Sequence, residues 1–144
     1  LYRNRHENSE YIHSLCCTYI LYLLRYAPDK NTTMEICINK IISAALQNAF
    51  DPDYSITKQL SKSGYAEDYI RQQFKIRTGK TPIEFVNGIR IKRACYLIDI
   101  YAKSYSLAEI SQKCGFLDYS YFLKCFKKHT GASPKEYKEH RYSN

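Results

Sequence analysis

Apolar residues along the chain recur at helical rather than alternating intervals. Ile12, Leu15, Cys16, Tyr19, Ile20 and Leu23 form one stripe, which predicts an amphipathic helix over about residues 10–26, ended before Pro28. A polar connector, "APDKNTT", follows. In "MEICINKIISAALQNAF" the positions Ile38, Ile41, Ile42, Ala45 and Ala49 share a face, predicting a second helix that ends near "DPDYS". Beyond Asp51 the pattern is short helices separated by turn signals, with no alternating strand. The fold class is therefore all-α.

The turn signals repeat. "TGKTPIEF" and "TGASPKEY" each combine a glycine suited to a left-handed helix cap with the start of a new helix. Thr81 and Ser133 stand at the N-cap, Pro82 and Pro134 at the first helical position, and Glu84 and Glu136 three residues after the cap. Ser106 and Glu109 make a third capping box. Sliding residues 69–85 onto 121–137 gives seven identities in seventeen positions: Tyr69, Phe74, Lys75, Thr78, Gly79, Pro82 and Glu84 with their counterparts. A short helix and a glycine turn precede each copy, "SITKQLSKSG" and "SLAEISQKCG", which is the order of a helix-turn-helix. The two units span about residues 55–77 and 106–129. "PIEFVNGIRIKRACYLIDIYAK", about 82–103, reads as one linker helix between them, with Phe85, Ile89, Ala94, Leu97 and Ile98 among its apolar positions.

The second helix of each unit has two faces. In the later copy Tyr121, Phe122, Cys125 and Phe126 cluster as core, while Tyr119, Ser120, Leu123, Lys124 and Lys127 point away, with Lys128 at the edge. The earlier copy presents Glu67, Asp68, Arg71, Gln72 and Lys75 at the matching positions. Basic and amide side chains on one face of a short helix suit base edges and phosphates. A linker of about twenty residues is a rod of roughly 30 Å, close to the ~34 Å between successive major grooves on one side of DNA.

Charge supports a polyanionic partner. The net charge is +8, and residues 51–144 carry seventeen Lys/Arg against ten Asp/Glu, whereas residues 1–50 carry five against four. The six cysteines, Cys16, Cys17, Cys37, Cys95, Cys114 and Cys125, form no C-x-x-C pair and sit among apolar neighbours, as buried thiols do in a reducing compartment. Cys125 and His129 are four apart but lack a third metal ligand, so no metal and no cofactor is expected. The unbroken apolar run Tyr19–Leu24 is far shorter than the ~20 residues of a membrane span. No nucleophile–base set or P-loop is present to suggest an enzyme.

The run "IRIKRACYLI" followed by "SLAEISQKCGFLDYSYFLKCFKKHTGASPKEYKEHR" resembles the AraC/XylS family of bacterial transcription regulators, and the looser likeness extends over about residues 36–141. The resemblance implies a seven-helix domain, residues 34–144, that binds double-stranded DNA in the cytoplasm and assists RNA polymerase, as an activator in many members. It places base contacts on Asp68, Arg71 and Gln72 in the first unit and on Tyr119, Ser120 and Lys124 in the second. Leu123 adds an apolar contact, and Lys75, Lys127 and Lys128 are the candidates for phosphate. The acidic pair Glu67-Asp68 departs from the family pattern. Residues 1–33 read as the tail of a regulatory domain, with residues 9–26 a candidate homodimer contact. The alternative is a protein-interaction module that keeps the fold without specific DNA binding.

Overall fold

The computed structural model describes residues 30–101 and 103–142. The chain divides into two compact units, Leu1–Glu35 and Ile36–Asn144. The helix expected over residues 10–26, with Cys16 and Cys17, lies outside the described residues. Among the described residues there are seven helices and no strand: α1 Lys30–Asn48, α2 Ile56–Ser61, α3 Glu67–Thr78, α4 Pro82–Tyr101, α5 Leu107–Lys113, α6 Tyr119–Thr130 and α7 Pro134–Tyr142. The all-α expectation holds. Helix α1 starts four residues before Met34 and buries Ile38, Ile41 and Ala45, with Ile42 at the margin and Ala49 buried just past its end.

Every expected cap is formed. Glu109 accepts from the Ser106 N–H at 2.7 Å while Ser106 Oγ accepts from the Glu109 N–H at 3.2 Å. The same reciprocal bonds join Thr81 to Glu84 and Ser133 to Glu136. Two further caps carried no flag in the sequence reading. Ser55 Oγ caps α2, and Asp118 Oδ1 accepts from the Tyr121 N–H at 2.7 Å to start α6.

Helix α4 is the axis. It packs on α2 and α3 from one side and on α5, α6 and α7 from others, so its buried positions (Val86, Asn87, Gly88, Ile91, Ala94, Leu97, Ile98) go round the helix instead of forming one stripe. Its first half completes a small core with Ile56, Leu60, Ile70 and Phe74, where the Phe74 and Phe85 rings meet edge to face at 5.5 Å. Its second half joins a larger core of Ile91, Ala94, Leu97, Ile98, Ile110, Cys114, Phe116, Phe122, Cys125 and Phe126. Here Phe122 touches Phe116, Tyr119 and Phe126 with ring centroids 5.3–5.9 Å apart.

One expected core residue is not in the core. Tyr121 is 45% exposed, as its repeat counterpart Tyr69 is. Its hydroxyl accepts a hydrogen bond from the buried Asn87 on α4 at 2.8 Å. Period alone groups it with Phe122, but a phenol with a polar partner is better placed at a boundary.

Candidate nucleic-acid interface

The repeat read from seventeen aligned positions is reproduced bond for bond. Thr78 and Thr130 each donate from the hydroxyl to a carbonyl four residues back, Phe74 O at 2.8 Å and Phe126 O at 2.9 Å. Each hydroxyl also meets a carbonyl two residues on, Lys80 O or Ala132 O. Gly79 and Gly131 then close α3 and α6 in the left-handed conformation. An edge-to-face aromatic pair at 5.5 Å, Phe74 with Phe85 and Phe126 with Tyr137, holds each following helix. Two units built alike hang from one linker helix.

On α3, Asp68, Gln72 and Lys75 are exposed on the face away from Ile70 and Phe74. Arg71 is half-buried, and the Glu67 carboxylate accepts from its Nε and Nη2. That contact occupies one edge of the guanidinium and leaves the Nη1 end free. Glu67 therefore offsets Arg71's charge and orients it. Asp68 is exposed, so its charge faces outward next to the expected phosphates. Asp68→Ala should raise affinity for non-specific DNA by a few-fold at low salt, as removal of a repulsive charge predicts. Comparing scrambled duplexes bound by both proteins checks this, and an unchanged or lower affinity contradicts it.

On α6, Ser120, Lys124, Lys127 and Lys128 are exposed, and Tyr119 is exposed while stacking on Phe122. Leu123 is half-buried against the larger core, so only part of its side chain faces outward. Lys128 reaches back to α4, where its Nζ donates to Glu84 Oε1 at 3.0 Å. The Lys128 hydrogen bond, with those from Thr81, lowers the Glu84 pKa from 4.5 to about 2, and the pair raises that of Lys128. A carboxylate with a lowered pKa stabilises the fold above its ordinary value, and that contribution fades as pH falls from 4.5 towards about 2. Lys128→Met should move the Glu84 titration midpoint, followed by NMR, upwards towards the ordinary range. No movement would mean that the pair is not formed in solution.

The thiol and membrane readings are simple. Cys37, Cys95, Cys114 and Cys125 are thiols outside any disulfide, and burial pushes the Cys114 thiol up to about 11. His129 Nδ1 lies 3.0 Å from Cys125 O, a helix-internal contact, and no cluster suited to a metal occurs among the described residues. No described helix is long and apolar enough to cross a membrane. Sequence reasoning missed Asn87 and Arg90, the polar residues that join distant parts of this domain. Arg90 donates to Ala49 O at 2.6 Å and Asp51 O at 3.2 Å, and Arg93 lies over the Phe50 ring at 4.1 Å.

The paired units, their left-handed caps and their outward polar faces define a helix-turn-helix domain of the double kind. The family model described as "Helix-turn-helix domain" matches residues 60–140, more than half of the chain. The chain belongs to the AraC/XylS family and carries its DNA-binding domain. The HTH-type transcriptional activator RhaR of Salmonella dublin is 32% identical over 116 residues, which covers 79% of this chain and 40% of that relative. RhaR of Salmonella schwarzengrund matches to the same extent. The chain thus spans less than half the length of these curated relatives. The C-terminal domain of AraT, a response regulator from Geobacillus stearothermophilus, shares the fold with a TM-score of 0.63 at 21% identity, over 73% of this chain and 85% of that one. The DNA-binding domain of AdpA, solved with a target DNA, gives 0.62 at 19% identity, over 74% and 96%.

Proposed function

We propose that this chain is the DNA-reading part of a transcription regulator, with α3 and α6 entering two successive major grooves of one promoter site. The observation that carries the reading is the atom-level repeat of two helix-turn-helix units on a single rigid axis, each with a polar face on its second helix. In the first groove Arg71 and Gln72 read purines and Asp68 accepts from cytosine. In the second, Tyr119, Ser120 and Lys124 meet base edges, and Leu123 offers its exposed part to a thymine methyl. Lys75, Lys127 and Lys128 serve phosphates, Lys128 through the ammonium protons that Glu84 does not take.

The same reading assigns the protein to the bacterial cytoplasm, without catalysis of its own, as an activator that contacts RNA polymerase. Residues 9–26 supply a self-association surface, and residues 1–33 the tail of a regulatory domain. The test is the salt dependence of binding. Each neutralised phosphate should contribute about −0.9 to the slope of log K against log salt. Three lysines at phosphates thus predict a slope of about −3, and Lys127→Ala should flatten it by about one while weakening all sequences alike. A slope near zero contradicts DNA binding through this face.

A further inference from the structure

We propose that Asn87 is a positioning residue that fixes the distance and phase between the two reading helices, so that the protein measures the spacing of its half-sites. The inference rests on the two-groove reading above. Asn87 lies in the first half of α4, the half that packs on α2 and α3 through Val86 and Phe85. It is only 7% exposed, yet its amide donates to a hydroxyl thirty-four residues away, Tyr121 Oη on α6, at 2.8 Å. A buried amide is costly unless bonded, and here its bond ties the second unit to the half of α4 that carries the first.

The neighbours of Asn87 act along the same line. Glu84, one turn before, holds Lys128. Gly88, next to it, has no side chain where His129 comes to 3.5 Å of the position a Cβ would take. Residues 84, 87 and 88 form one stripe of α4, and residues 121, 128 and 129 form one stripe of α6. Helix α6 is therefore fastened over two turns to the part of α4 that also carries α3. Rotation or sliding of α6 relative to α3 requires these contacts to break. Inserting one base pair between half-sites turns one against the other by about 35° and moves it by about 3.4 Å, which a fastened pair cannot follow.

The experiment measures binding of the full chain to four duplexes: the selected two-half-site DNA, the same DNA with one base pair inserted, a single half-site, and a scrambled sequence. For the unaltered protein, the insertion should lower affinity about tenfold or more, within the range expected for losing one half-site's base contacts. Asn87→Ala should bind the single half-site within about twofold of the unaltered protein, while its insertion penalty falls to about threefold; a general loss of stability would not change this ratio. Tyr121→Phe keeps the ring and removes only the hydroxyl, so it provides the same test should Asn87→Ala fold poorly. Combining the two should relax spacing no further than either alone, because they remove one bond. If both variants keep the full penalty, the inference is overturned. If the unaltered protein binds scrambled DNA as well as the selected site, the function reading itself has failed.

Discussion

Gly115→Ala should destabilise the domain by about 2–4 kcal/mol, far more than a methyl group ordinarily costs. Two effects add. Gly115 has φ +85°, in the left-handed region where a side chain costs about 1 kcal/mol or more. A Cβ there would also stand 2.9 Å from Ala49 O and 3.0 Å from Phe50 C, an overpacking that costs about 1–3 kcal/mol. Those atoms are backbone, and they are poorly able to retreat because Arg90 holds Ala49 O and Arg93 covers the Phe50 ring. Gly64→Ala is the control. Gly64 has φ +79° but open space around it, so its substitution should show the strain alone, about 1 kcal/mol. Urea unfolding of both variants measures the difference, and equal losses would mean that the end of α1 does not sit against the turn that leads into α6.

Arg71→Ala should relax sequence preference in one half-site by about 1–3 kcal/mol, the worth of a bidentate contact to guanine. The structure adds a reason to expect a well-aimed contact. Glu67 takes the Nε–Nη2 edge of the guanidinium, so the remaining end is presented with less freedom to lose on binding. An exposed pair one turn apart contributes little to stability by itself, and its value here lies in aim. Arg71→Lys should recover only part of the preference, since an ammonium lacks the planar fork. The measurement is binding to the selected and scrambled sites at matched salt. Equal losses on both DNAs would show that α3 is not reading bases.

Features set within four residues were legible in the sequence. The capping boxes at Ser106, Thr81 and Ser133 and the glycine caps all depend on neighbours in the chain, and each formed as expected. Features that join distant segments were not. Tyr121 falls on the helical stripe of Phe122 and Cys125, yet it is exposed, and the partner of its hydroxyl is Asn87, thirty-four residues upstream. Glu84 was visible as a cap, but its second contact comes from Lys128 across forty-four residues. Arg90 looked like any basic residue of a linker, whereas it serves carbonyls at the end of α1. The recognition faces were legible in outline because exposed positions follow from helical period. Arg71's engagement with Glu67 was within reach too, as an acid four residues before a base on one helix.

One chain is proposed to read two adjacent major grooves. Selection of bound duplexes from a random pool tests it most directly. Two short conserved blocks about one helical turn apart, ~10 base pairs centre to centre, are the predicted result, with the spacing as uniform as the blocks themselves. A single short block, two blocks at freely varying spacing, or no enrichment at all would contradict it.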